Sequence, residues 1–121
     1  MRKRVFINAA TAICPNGVKG EDGILHAVEH DYKNIITNAN LRRRMSHIVK
    51  MGVPCGLECL HKNDNKPADA IITATGLGCL ADTEKFLSSI IENDERLLNP
   101  TAFTQSTFNV IGAQIALLTN N

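Results

Sequence analysis

A chain of 121 residues, 44% of them hydrophobic, is long enough to bury one core and too short for two of comparable size, so a single domain over residues 1–121 is expected. Thirteen basic residues against twelve acidic ones give a net charge of +1, which excludes an overall field able to gather nucleic acid or an anionic membrane surface. No apolar run reaches bilayer-spanning length, and the one behind Arg2, Lys3 and Arg4 is interrupted by Asn8 and Thr11, so the expectation is a soluble, cytoplasmic protein whose four cysteines stay reduced.

Val5 to Ile13 is apolar and leans towards β-branched residues, and Cys14-Pro15-Asn16-Gly17 closes it with turn chemistry. This predicts a first strand buried on both faces. Gly20 to Asn40 is polar and mixed, with Ile24, Leu25 and Val28 spaced for one face of a short helix in an exposed connection. Inside it, His26, Glu29 and His30 have the H-x-x-E-H spacing by which one class of metallopeptidase holds zinc and activates water. No third ligand stands at a recognisable position, and surface histidines are the plainer reading.

Asn40 is placed to cap a helix carrying Leu41, Met45, Ile48, Val49 and Met51 on one side and Arg42, Arg43 and Arg44 on the other. Pro54 should kink that helix or restart it, with Gly52 and Gly56 loosening the same region. The apolar face resumes at Cys55, Leu57, Cys59 and Leu60 and ends at the polar loop Lys62 to Pro67. The spacing of Cys55, Cys59 and His61 fits no common zinc knuckle, so core packing is preferred for the thiols. Arg42, Arg43 and Arg44, with His47 and Lys50, form the one local basic concentration: a solvated helix face, or a dock for an acidic partner.

Ala70 to Thr75 predicts a second buried strand, and Gly76-Leu77-Gly78-Cys79-Leu80-Ala81 follows it directly. That is the G-x-G-x-x-A form of a dinucleotide fingerprint in the right context. No later strand ends in a ribose-gripping acid, and a sharp strand-to-helix turn is the simpler account of the glycines. A helix from about Ala81 to Asn93 follows, with Asp82 and Glu84 in its first turn and Phe86, Leu87, Ile90 and Ile91 facing inward. After Asn99-Pro100, the segment Ser106 to Leu118 sets Phe108, Ile111, Ile115 and Leu118 on one face, with Gly112 and Ala113 allowing another backbone close. The order strand, helix, strand, helix, helix argues for a layered α/β fold. Two strands and several apolar helices would leave an edge or a face uncovered, which predicts a homo-oligomer or a partner that covers it.

KRVFINAATAICPNG resembles the first strand and turn of the β-ketoacyl synthases of the thiolase-like superfamily. Asn40 to Met45 with the long helix after it, then Asp69-Ala70-Ile71-Ile72 running into Thr75-Gly76-Leu77-Gly78, looks like the next helix, strand and Gly-rich turn of that fold. Asn99-Pro100-Thr101-Ala102-Phe103, with Ser106, Asn109, Gly112 and Ala113, is similar to the loop and helix that precede the nucleophile. The resemblance implies an incomplete thiolase-like N-terminal half, a mixed sheet flanked by helices.

By the same resemblance, the chemistry would be decarboxylative condensation: a cysteine at the start of a buried helix carries the acyl group, and two histidines, or a histidine and an asparagine, assist. Cys14, Cys55, Cys59 and Cys79 do not occupy that cysteine's position, and His26, His30, His47 and His61 all precede it. The expectation is therefore an amino-terminal fragment or module of a condensing enzyme of fatty-acid, polyketide or polyene-type biosynthesis. It would carry no catalytic residue, metal or cofactor and would be inactive alone. Phe103, Gln105 and Phe108 become candidates for an acyl channel or subunit interface, and Arg42, Arg43 and Arg44 for docking an acyl carrier protein. The implied partners are the missing C-terminal portion or a second copy, and neither nucleic acid nor membrane. A non-catalytic scaffold subunit of such an enzyme, or a small nucleotide- or zinc-binding protein, are the alternatives.

Overall fold

The structure, a computed structural model, describes residues 4–29 and 31–121. Arg2, Lys3 and His30 lie outside the described residues, so the H-x-x-E-H reading can be followed only through His26 and Glu29. The described chain is mostly helical with a small two-stranded sheet. The mixed sheet flanked by helices is not found among the described residues.

The turn residues expected to end a strand instead begin one. β1 (Pro15–Lys19) and β2 (Leu25–Ala27) pair antiparallel, Pro15 opposite Ala27 and Lys19 opposite Leu25, with an irregularity between. Gly23 at φ 76° and the Asp22 carboxylate, which accepts from the Ile24 amide at 2.9 Å, turn the chain back on itself. That turn explains why Ile24, Leu25 and Val28, spaced for a helix, lie in and beside a strand.

The two predicted strands lack ladders. Val5 to Ile13 and Ala70 to Thr75 carry no regular element, and Val5 and Ile72 are 93% and 91% exposed. β-branched runs fit a pleated surface but need a neighbouring strand to bond to, and none lies beside these among the described residues. Their side chains still alternate. Ala9, Thr11 and Ile13 are half-buried while Ala10, Ala12 and Cys14 are exposed, and Ile71 and Thr73 are half-buried on either side of exposed Ile72.

The basic helix starts earlier than Asn40 and is broken. Asn38 caps α2 (Ala39–Arg44) by accepting from the Asn40 and Leu41 amides at 3.0 and 3.1 Å. Extended backbone at Met45 and Ser46 separates α2 from α3 (His47–Lys62). A one-turn helix, α1 (Tyr32–Ile35), precedes them, capped by Asp31. α3 runs 16 residues through Pro54, which is fully buried.

Gly52 and Gly56 do not loosen α3; they make room. A Cβ on Gly52 would meet Ile111 Cδ1 at 2.7 Å, and one on Gly56 would collide with Ile115 Cδ1. α6 (Val110–Thr119) therefore lies close against α3. Around that seam Ile36, Met45, Val49, Val53, Cys79, Val110 and Ile115 form the core, with Leu41, Leu57, Leu60, Ile71, Ile111 and Leu118 packed on it. Ile111, Ile115 and Leu118 thus face inward as their spacing predicted, whereas Phe108, expected on the same face, precedes α6 and is exposed.

α4 (Leu80–Glu92) and α5 (Pro100–Ser106) form a second packed pair. Asn99 caps α5 by accepting from the Thr101 amide at 2.9 Å, with Pro100 in the first turn. α4 buries no residue fully; Phe86 and Ile90 are half-buried, whereas Leu87 and Ile91 of the predicted inward stripe face solvent.

Candidate functional site

Three consecutive residues on a helix point about 100° apart, so a run of arginines fans out around the helix. The structure divides this one. Arg42 and Arg43 line a cleft of about 500 Å³ between α1 and the α2–α3 pair, together with Asp31, Tyr32, Lys33, Asn40 and Lys50. Arg44 turns towards α5 and lines a cavity of about 240 Å³ with Met45, Thr101, Thr104, Gln105 and Gln114, and Arg43 and Arg44 together line a further one with Asp82 and Lys85.

The cleft's guanidinium groups are held in place. Arg42 Nη1 donates to the Ile36 carbonyl, and Arg43 Nη2 donates to Asn40 Oδ1 at 3.2 Å. Asp31 Oδ1 accepts from the Lys33 amide at 3.1 Å and its Oδ2 from Asn34 Nδ2 at 2.9 Å, so this carboxylate is occupied by the helix cap. Glu29 lies between Tyr32, whose hydroxyl donates to it, and His47, whose Nε2 is 3.1 Å away. Burial, reinforced by Glu29, holds the Tyr32 phenol far above its ordinary range.

Phe103, Gln105 and Phe108 do not converge. Gln105 is buried at 7% exposure, and its Oε1 accepts weakly from the Ser46 amide at 3.4 Å. It tethers α5 to the α2–α3 junction. Phe103 and Phe108 are both exposed, and Phe103 packs against Phe86 of α4 with ring centroids 5.3 Å apart. Nothing in the residue pattern pointed to Ser46 and Gln114 near Gln105, where Ser46 Oγ and Gln114 Oε1 are buried with no hydrogen-bond partner.

The remaining candidates separate. His26 Nε2 sits 3.0 Å from Asp22 in the hairpin, while Glu29 turns to His47 and Tyr32, so that pair does not share a ligand position. Among the described residues no group of three or more His, Cys, Asp or Glu side chains is placed to hold a metal ion. Gly78, at φ 62°, takes the turn role: its amide donates to Thr75 Oγ1 at 3.0 Å. Asp82 lines the same cavity as that turn.

Cys79 stands at the N-cap of α4, buried, with Sγ donating to the Thr107 carbonyl at 3.7 Å. Burial and then Asp82 push its thiol pKa up; Cys55 is raised by burial and then Glu58. No helix of the described chain is long and apolar enough to cross a membrane.

Comparison with protein families matches the model of the β-ketoacyl synthase N-terminal domain to residues 26–121. The matched span takes in every helix described above and most of the strand β2 at its C-terminal side. No curated protein matches the chain.

Proposed function

From the match over residues 26–121, which shows that the chain belongs to the β-ketoacyl synthase N-terminal domain family, we propose that it is the amino-terminal part of a condensing enzyme and does no chemistry by itself. The family match is the observation that carries this reading. The thiols support it. A condensing nucleophile must be available as thiolate. Cys79, the cysteine that opens a helix, is shifted the wrong way, as is Cys55.

The role left to the chain is structural and recognitive. Arg42, Arg43 and Arg44 are proposed to dock an acidic acyl carrier protein, and Gln105, with Phe103 and Phe108 nearby in sequence, to belong to an acyl channel or subunit interface. The exposed apolar side chains of α4 and of residues 5–7 favour assembly with the rest of a synthase or with a second copy. Fatty-acid, polyketide or polyene-type biosynthesis is the setting such a domain would serve.

The test is direct. The purified 121-residue chain, given acyl and malonyl thioesters, should release no carbon dioxide and form no C–C bonded product. Turnover abolished by Cys79→Ser would overturn the proposal.

A further inference from the structure

We propose that the cleft between α1 and the α2–α3 pair is an anion site for a phosphate ester of small-molecule size, held by Lys33, Arg42, Arg43 and Lys50. The inference goes beyond carrier-protein docking and stands without it.

The charge in the cleft is only partly compensated. Its lining supplies four cations and one carboxylate, Asp31, whose oxygens accept from the Lys33 amide and Asn34 Nδ2 while its negative charge remains, so positive charge is in excess. The neighbouring acid, Glu29, is taken by Tyr32 and His47. Among the described residues Lys33 and Lys50 make no ion pair, and each arginine donates one hydrogen bond to the protein out of its five donors.

The excess of cations favours a phosphate ester over a singly charged carboxylate. Both guanidinium planes are already oriented, by the Ile36 carbonyl and by Asn40, and an oriented guanidinium meets tetrahedral oxyanions in bidentate fashion. Two lysines add mobile point charges suited to an anion carrying nearly two negative charges. A concavity of about 500 Å³ falls within the range of small-molecule sites. Tyr32, its hydroxyl committed to Glu29, would offer the ligand a wall and no donor.

Inorganic phosphate and glycerol 3-phosphate, titrated into the intact chain at constant ionic strength against chloride, provide the test. Backbone amides of residues 31–34 and 40–43 should shift on titration, and the double variant Lys33→Gln/Lys50→Gln should bind about tenfold more weakly with an unchanged melting temperature. Arg44→Gln, outside the cleft, should leave phosphate binding intact while weakening any carrier-protein complex. Absence of those amide shifts, or equal affinity in the double variant, overturns the anion site. Carrier binding unchanged in Arg44→Gln would count against the docking reading and leave the cleft standing.

Discussion

Burial holds three weak acids of this chain in their protonated forms. Tyr32, Cys55 and Cys79 all have pKa values raised above their ordinary ranges, desolvation being the largest cause for each. In the unfolded chain a thiol ionises at about pH 8.5, whereas the folded thiols keep their protons to higher pH. The native state then binds more protons than the unfolded one, so the stability contributed by these groups is fully present below the unfolded pKa and is lost as pH rises through the folded values. Urea midpoints measured from neutral pH upward should therefore fall above about pH 8.5; a midpoint that holds or climbs there would contradict the assignment. The basic concentration at Arg42 to Arg44 was legible because charge can be counted along a chain. Its spread over three cavities was not, since that depends on where α1 and α5 come to rest, and Lys33 carried no signal until the fold brought it beside Arg42.

Between elements, the seam of α3 and α6 decides how near two helices can come. The two glycines stand one turn apart, and an isoleucine of α6 occupies the space over each. Alanine at position 56 gains about 1 kcal/mol in helix propensity but inserts a methyl into occupied space, an overpacking penalty of about 1–3 kcal/mol. Gly56→Ala should destabilise the chain by about 1 kcal/mol in urea denaturation. Ile115→Val removes the colliding Cδ1, so the double variant should be more stable than the sum of the two single effects. Strict additivity would show that the seam is not the contact described. Helical periodicity made Ile111, Ile115 and Leu118 readable as core, because a 3.6-residue repeat is set within one element. The hairpin was missed for a related reason: three apolar residues spaced as on a helix carry less information than the turn at Gly20 to Gly23 that folds them back.

At the scale of the whole molecule, apolar surface remains open on several sides. Val5, Phe6 and Ile7, Ile72 and Leu77, and Leu87 and Ile91 of α4 are all exposed. Such surface is normally covered by a partner or another copy. Sedimentation at micromolar concentration should show a dimer or larger species; a monomer at every concentration would mean that these side chains tolerate water. The layered sheet expected from two apolar runs was not legible as fold because a sheet is made by pairing, and sequence shows only which segments are suited to it. Those segments nonetheless arrive half prepared. With Ile71 and Thr73 set against Gly112 and Ile72 turned away, residues 70–75 have already chosen which side faces the helices. A neighbour that docks there inherits that choice: sliding by a single residue would reverse every inside and outside position, so the helical layer acts as a template that fixes alignment before any ladder forms.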